Sequence, residues 1–128
     1  MKILGIGVDI VQNKRIRILL RNKDFIKRTF GKNEIRISKK NVNKTNYFAK
    51  RFSAKEAFAK ALGTGFRNNL NFKDIEILND KLGKPYYFKS NKINKIINTR
   101  FNIRKFDLFL SISDEKDYSI AFTILQVK

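Results

Sequence analysis

The order of apolar and polar positions divides the first half of the chain into one strand and several helices. Residues 2–11 are apolar almost throughout, interrupted only late in the run by Asp9, which predicts a buried β-strand. Residues 13–40 are basic with scattered apolar positions and predict two or three short helices. Gly31 follows Phe30 and suits a helix C-terminus there.

The clearest helical pattern covers residues 45–62. One face carries the apolar residues Tyr47, Ala54, Phe58 and Ala61. Roughly opposite lie Ala49, Phe52, Ser53, Glu56, Lys60 and Gly63. Because Ala49, Ser53 and Gly63 are small, we expect this second face to leave room for a ligand. Gly63-Thr64-Gly65 then ends the helix.

The second half of the chain reads as two hairpins separated by a helix. Residues 73–78 alternate like a strand, 79–83 form a turn, and 84–88 return with Pro85 at a strand start or edge. Ser90 suits the N-cap of a helix whose apolar positions are Ile93, Ile96, Ile97 and Phe101. The final predicted hairpin pairs residues 106–113 with 118–127. The pattern predicts a single α+β domain over 1–128, with a mainly antiparallel sheet packed against helices.

Composition narrows the chemistry. The 128 residues are 42% hydrophobic, as in a globular domain, and include neither cysteine nor histidine. Disulfides and thiolate metal sites are therefore excluded, and any metal must be held by oxygen, as magnesium, calcium or manganese are. The first apolar run is too short, before Asp9, for a signal peptide or a membrane span, so we expect a cytoplasmic protein.

The charge is strongly positive and uneven. The chain has a net charge of +18, and residues 1–60 hold 17 Lys or Arg against 4 Asp or Glu. Such a field favours an anionic partner, which could be nucleic acid, an acidic protein or a phosphorylated small molecule. One dense series of basic residues is a solvated helix face or a docking surface for an acidic partner. It consists of Arg15, Arg17, Arg21, Lys27 and Arg28.

Three further features could carry chemistry, and each also has a purely structural interpretation. Asp9 ends an apolar strand after Gly5 and Gly7, and it either binds a ligand or caps the next helix. Glu56 and Lys60 lie one helical turn apart, as an ordinary ion pair or as a carboxylate for a metal beside an ammonium for a phosphate. The glycine turn after this helix either presents N–H groups to phosphate or only terminates the helix.

Taken in order, these stretches resemble the holo-acyl-carrier-protein synthase family of phosphopantetheinyl transferases. The matching stretch 51–65 begins at Arg51, and its specific part runs from Phe52 through the Lys55-Glu56-Ala57 and Lys60-Ala61 motifs to Gly65. Supporting matches are residues 5–10, 14–16, 72–77, 83–86 and 111–114, with Tyr118 and Ala121 after them. The resemblance covers nearly the whole chain except the Asn- and Lys-rich residues 32–46. It implies the phosphopantetheinyl transferase fold.

The resemblance also implies a reaction and a site. It implies that Asp9 and Glu56 bind magnesium and that Lys60 lies against the coenzyme A phosphates. The implied coenzyme A contacts come from Arg51, Gly63, Lys84, Pro85 and Ser111. An acidic acyl carrier protein would dock on Arg15, Arg21 and Arg28, with Arg15 and Arg21 the leading pair. Family members are typically homotrimers with active sites at subunit interfaces.

The implied reaction transfers phosphopantetheine from coenzyme A to a carrier serine and releases adenosine bisphosphate, in support of fatty acid biosynthesis. Without histidine the base must be a carboxylate or a metal-bound water, and Glu56, or a water that it orients, is the candidate. Asp114 occupies a position that varies between histidine and aspartate in the family and receives no role. The competing interpretations are a small basic RNA- or ribosome-associated protein and an inactive structural trimer. We expect no membrane or nucleic-acid partner.

Overall fold

The computed structural model of the chain describes residues 2–67 and 69–128. Its first half contains β1 (Lys2–Gln12) and four helices, which are α1 (Asn13–Leu19), α2 (Lys23–Thr29), α3 (Lys32–Ser38) and α4 (Lys44–Leu62). Its second half contains a 3₁₀ helix (Phe72–Asp74), β2 (Ile77–Asn79), β3 (Pro85–Tyr87), α5 (Asn91–Phe101), β4 (Phe106–Asp114) and β5 (Tyr118–Val127). In the described part of the chain no helix is both long and apolar enough to cross a membrane.

All strand pairs are antiparallel. The main sheet has the order β1-β5-β4, and β2 and β3 form a separate two-stranded hairpin. This confirms the α+β class with its antiparallel sheet packed against helices. β3 begins at Pro85, as its missing N–H requires, and the Ser90 hydroxyl accepts a bond from Ile93 N at the start of α5.

The long helix α4 packs directly on the inner face of β1. A Cβ atom at Gly5 would lie 1.8 Å from the Ala61 carbonyl oxygen, and one at Gly7 would lie 1.8 Å from that of Ala57. The two glycines therefore allow close approach of the α4 backbone. This brings Asp9, three residues before the end of β1, beside the C-terminal half of α4.

Two apolar clusters hold the domain together. The larger joins the C-terminal half of α4 to the sheet, the β2–β3 hairpin and α5, around Phe58, Ile77, Ile97 and Leu125. The smaller joins the N-terminal half of α4 to α1 and α2, around Ile16, Phe25, Phe30 and Phe48. α4 is thus buried around most of its circumference, and it can position side chains on several sides.

The burial of α4 corrects one expectation. Ala49 and Ser53 were expected to leave room for a ligand, yet both are fully buried by protein. Ala49 belongs to the smaller apolar cluster, so its small volume admits neighbouring helices. The free side of the helix is narrower than the sequence indicates, and it is centred on Glu56 and Lys60.

Two local predictions were also wrong in detail. The strand expected over 73–78 is reduced to residues 77–79, because Asp74 caps a 3₁₀ turn by accepting the Asn71 N–H at 3.0 Å. Gly31 was expected at a helix C-terminus, and it instead precedes α3 as its N-cap with an ordinary φ of −73°. A side chain there would collide with the Glu76 carboxylate at 2.3 Å.

The outer face of the main sheet is apolar and uncovered. Ile6, Val8 and Ile10 of β1 are 55%, 53% and 59% exposed. Ile6 lies opposite Ile124, which in turn lies opposite Phe109, so an apolar row crosses all three strands. The sequence predicted a buried β1 strand. Within one chain, only the inner face of β1 is buried.

Candidate functional site

The inner face of β1 and the free side of α4 meet at a cluster of charged groups. Asp9 is a mostly buried side chain, and Lys60 reaches it from α4 with its Nζ 3.3 Å from Asp9 Oδ1. The same ammonium donates to the Val8 carbonyl at 2.9 Å. The Lys60 side chain remains 55% exposed, so a ligand can reach its ammonium while Asp9 and Val8 hold that group in place.

Glu56 lies one turn before Lys60 and shares this environment. Partial burial raises the pKa of Glu56, the Asp9 carboxylate raises it further, and the charges of Lys60 and Arg15 oppose the rise. Burial likewise raises the pKa of Asp9, opposed mainly by its hydrogen bond and charge interaction with Lys60. Two carboxylates that disfavour each other's ionisation are a site that gains from a bound cation.

The donor set fits magnesium. Both candidate ligands are carboxylates, and the Lys60 ammonium lies at Asp9 as an internal cation. Among residues 2–67 and 69–128 no cluster of three or more His, Cys, Asp or Glu side chains surrounds a potential metal position. Two carboxylates suit magnesium, which commonly keeps waters and takes substrate phosphates as its remaining ligands.

Glu56 also lines an open groove of about 690 Å³. Arg15 of α1 and Arg28 of α2 stand on its rim with exposed side chains. Its walls are aromatic, formed by Phe25, Phe52, Phe66 and Phe72. Arg21 is exposed in the turn between the two helices and does not line the groove. A basic rim over an apolar floor, with a carboxylate inside, suits an acidic protein that presents a flexible group.

A second cavity of about 360 Å³ collects other predicted residues. Arg51 and Pro85 both line it, together with Tyr47, Asn79 and Asp114. The Arg51 guanidinium lies 3.7 Å from the centre of the Tyr47 ring, and it donates to the Tyr47 carbonyl at 3.2 Å and to Asn79 Oδ1. Its Nε is buried with no hydrogen-bond partner in the described structure. This cavity is therefore lined by a cation that is held in place by Tyr47 and Asn79 and whose buried Nε–H has no acceptor.

Tyr47 and Asn79 were not identified from the sequence as site residues. Tyr47 precedes Arg51 by one helical turn, which is the spacing that places two side chains on one face. That spacing was the available signal. Asn79 lies at the end of β2 and reaches Arg51 only through the tertiary fold, so no local pattern marks it.

The remaining predicted residues lie at separate places. Gly63 ends α4 in the left-handed conformation with φ 79°, as the helix-termination interpretation requires. Lys84 is exposed beside Pro85, and Ser111 is exposed on the outer face of the main sheet. The 690 Å³ groove and the 360 Å³ cavity share no lining residue. One chain therefore carries two separate groups of candidate residues, one around Asp9, Glu56 and Lys60 and the other around Arg51.

Comparisons with known proteins give a consistent result. The model of the 4'-phosphopantetheinyl transferase superfamily matches residues 5–123. A holo-[acyl-carrier-protein] synthase of Pelagibacter ubique is 62% identical over 128 residues, covering 100% of both chains. The structure of the holo-[acyl-carrier-protein] synthase of Neisseria meningitidis superimposes with a TM-score of 0.88 at 40% identity, covering 98% of this chain and 99% of the other.

A second similar structure contains a ligand. It is a holo-(acyl-carrier-protein) synthase from Bacillus anthracis in complex with CoA (3',5'-ADP). It superimposes with a TM-score of 0.81 at 35% identity and covers 98% of each chain.

Proposed function

The chain belongs to the 4'-phosphopantetheinyl transferase superfamily as a holo-acyl-carrier-protein synthase, and we propose that it transfers phosphopantetheine from coenzyme A to a serine of an acidic acyl carrier protein with the help of magnesium. The observation that carries this proposal is the cluster of Asp9, Glu56 and Lys60 beside a groove with a basic rim. The product would be the holo-carrier used in fatty acid biosynthesis, with adenosine bisphosphate as the leaving group.

Asp9 and Glu56 are the residues that would hold the metal. Magnesium bound there would neutralise charge on the pyrophosphate of coenzyme A. Lys60 is the second source of positive charge, and its ammonium, which donates to Asp9 and to the Val8 carbonyl, has a third hydrogen that could bond a phosphate oxygen. A group that is positioned before the reaction stabilises developing charge without reorganisation.

We assign the proton of the carrier serine to Glu56, or to a water that it orients. In the reaction the serine oxygen forms a bond to the β-phosphorus, the bond from that phosphorus to the adenosine-bisphosphate oxygen breaks, and the hydroxyl proton moves to a base. Burial raises the pKa of Glu56, and the Asp9 charge raises it further, both of which make it a stronger base than an exposed carboxylate. The chain has no histidine to take this role.

The basic rim suits the protein substrate. Arg15 and Arg28 flank the groove that reaches Glu56, so an acidic carrier bound to them would present its serine towards the carboxylate. Exposed charges act mostly on the association rate and on orientation. Arg21 would extend the same surface at the α1–α2 turn.

We propose a homotrimer with active sites between subunits. Two features support the homotrimer. One is the separation of the two groups of candidate residues, and the other is the uncovered apolar face that runs over β1, β5 and β4. An exposed apolar patch of this extent marks an interaction surface. Ser111 lies on that face, so packing of subunits there would place Ser111 against a neighbouring subunit.

A calorimetric titration of coenzyme A with and without magnesium tests this function. We expect binding that strengthens with magnesium, and about tenfold weaker binding by Lys60→Met because a charge-assisted hydrogen bond is lost. Lys95→Met, which removes an exposed lysine of α5, is the matched control and should bind like the wild type. Binding that ignores magnesium, together with tight RNA binding, would favour the RNA-associated alternative.

A further inference from the structure

A lysine next to Glu56 in the sequence is completely buried. Lys55 has no exposed side-chain surface, and all three of its ammonium hydrogens have acceptors. Its Nζ donates to Glu34 Oε1 at 2.6 Å, to the Phe72 carbonyl at 3.0 Å and to the Ile75 carbonyl. A charge is rarely buried unless it is paired and fully hydrogen-bonded, so this lysine needs an explanation.

The partner of Lys55 is as deeply buried. Glu34 also has no exposed surface, and its second oxygen accepts the Ile77 N–H at 3.0 Å. Its first oxygen accepts the Gly31 N–H at 3.0 Å. The pair therefore connects three elements, which are α3, the middle of α4 and the segment 72–77 that leads into β2. Two apolar side chains could fill the same volume, so the need to fill the core does not by itself explain a lysine and a glutamate here.

The segment tied down by Lys55 forms one wall of the groove. The Phe72 ring stacks on Phe66 at 3.9 Å between centroids and on Phe52 at 5.4 Å. Phe72 and Glu56 both line the groove. The carbonyl that accepts from Lys55 belongs to Phe72 itself, so the lysine fixes the backbone that carries this ring.

We propose that Lys55 is a positioning residue for the carrier-protein side of the site, holding segment 72–75 so that the Phe72 wall stands at a fixed distance from Glu56. This rests on the proposed function, because it takes the groove as the place where the carrier and its serine enter. Lys55 faces the interior while Glu56 faces the groove, so one helical turn supplies both the reacting carboxylate and the anchor of the opposite wall.

The test combines hydrogen exchange with steady-state kinetics on Lys55→Met and on Glu34→Gln/Lys55→Met. The double variant removes both charges while keeping similar volumes, so it keeps the core filled even where the single variant leaves Glu34 unpaired. In both we expect the amides of residues 70–76 to exchange at least tenfold faster relative to those of β5. We expect the KM for carrier protein to rise at least fivefold, and the KM for coenzyme A and kcat to stay within twofold.

Two further variants sharpen the comparison. Lys92→Met removes a partly exposed ion pair to Asp74 at 2.6 Å in the same segment, and it should change neither the exchange of 70–76 nor the KM for carrier by more than twofold. Phe72→Leu changes the wall without touching Lys55, and it should reproduce the rise in KM for carrier.

Several results would overturn the proposal. A purely structural Lys55 would lower the melting temperature and leave both KM values of the folded enzyme unchanged. Equal increases in the two KM values, or failure of both Lys55 variants to fold, would likewise make it a general folding residue. Absence of transfer by the wild-type enzyme would contradict the proposed function instead, and the exchange of residues 70–76 would still decide whether Lys55 fixes the segment.

Discussion

At the residue scale, the chemistry of the site depends on how three charges share a partly buried space. Lys60 lies between the Asp9 carboxylate and solvent, and Glu56 is one turn away on the same helix. Each carboxylate has a raised pKa because burial disfavours its charged form, and Lys60 opposes that rise for both. The arrangement leaves the carboxylates more basic than exposed ones and ready to accept a cation.

Replacing Glu56 with Gln should separate catalysis from folding. The side chain is only partly buried, so the variant should fold with near wild-type stability. Loss of a metal ligand and base together should lower kcat/KM by roughly 10²-fold or more. The exposed carboxylate of Glu115, changed to Gln, is the control. Near-normal turnover of Glu56→Gln would remove Glu56 from the catalytic set.

Removing the Lys60 ammonium should raise the pKa of both carboxyl groups. Burial raises the pKa of Asp9 and of Glu56, and the Lys60 charge lowers both pKa values. In Lys60→Met only the Arg15 charge would still oppose the rise. In the metal-free protein each carboxyl should then keep its proton to a higher pH than in the wild type. Carboxyl ¹³C NMR titration measures this directly. An unchanged or lower pKa in the variant would show that Lys60 does not interact with the pair.

At the element scale, the site depends on close contact between β1 and α4. Gly5 and Gly7 allow the strand to lie against the carbonyls of Ala61 and Ala57. Because Asp9 follows on the same inner face, the position of this strand sets the distance from Asp9 to Lys60. Any side chain at these glycines must push the two elements apart.

Gly7→Ala should therefore destabilise the fold by roughly 3 kcal/mol or more, since the added methyl group overlaps backbone. Gly83→Ala is the matched control, because Gly83 has φ 88° with open space around it and costs only the left-handed strain of about 1–2 kcal/mol. Urea unfolding of both variants gives the comparison. If Gly7→Ala were no less stable than Gly83→Ala, the packing of β1 on α4 would be wrong.

The sequence predicted elements better than it predicted what joins them. The helix around 45–62, the final hairpin and the Ser90 cap follow from local periodicity and capping, and they are present. The capping of α3 by Glu76 was not predictable, because its acceptor comes from more than 40 residues away. In the sequence nothing distinguishes Lys55 from an exposed lysine, because its burial depends on the packing of α3 and segment 72–77 against it. Long-range polar contacts leave no periodic signal in the sequence.

The candidate site was predictable in the same limited sense. Motif spacing identified Asp9, Glu56 and Lys60, and the structure places Lys60 against Asp9 with Glu56 one turn away. The spacing could not reveal that Ala49 and Ser53 are fully buried by protein, since both sides of α4 carry small residues. Nor could the spacing show that Arg28 lines the groove while Arg21 does not, because this depends on how α1 and α2 are oriented relative to each other.

At the scale of the whole molecule, the proposed homotrimer rests on the uncovered sheet face and on the separation of the two groups of candidate residues. The apolar residues alternate outward along β1, so a charge placed among them would oppose packing of subunits without entering the core. Ile6→Glu should therefore give a folded monomer with little transfer activity, while Ile18→Glu, an exposed position on α1, should remain a trimer. Light scattering measures the mass of each. A trimeric Ile6→Glu protein would mean that this face is not the interface.

The intact mass of an acyl carrier protein incubated with this enzyme tests the central claim most directly. With coenzyme A and magnesium, the carrier should gain the mass of one phosphopantetheine group, on its acceptor serine, and adenosine bisphosphate should appear in equal amount. Chelation of magnesium, or Glu56→Gln in place of the wild type, should abolish the gain on the same timescale. A carrier of unchanged mass under all conditions, or a gain that persists without magnesium and without Glu56, would contradict the account.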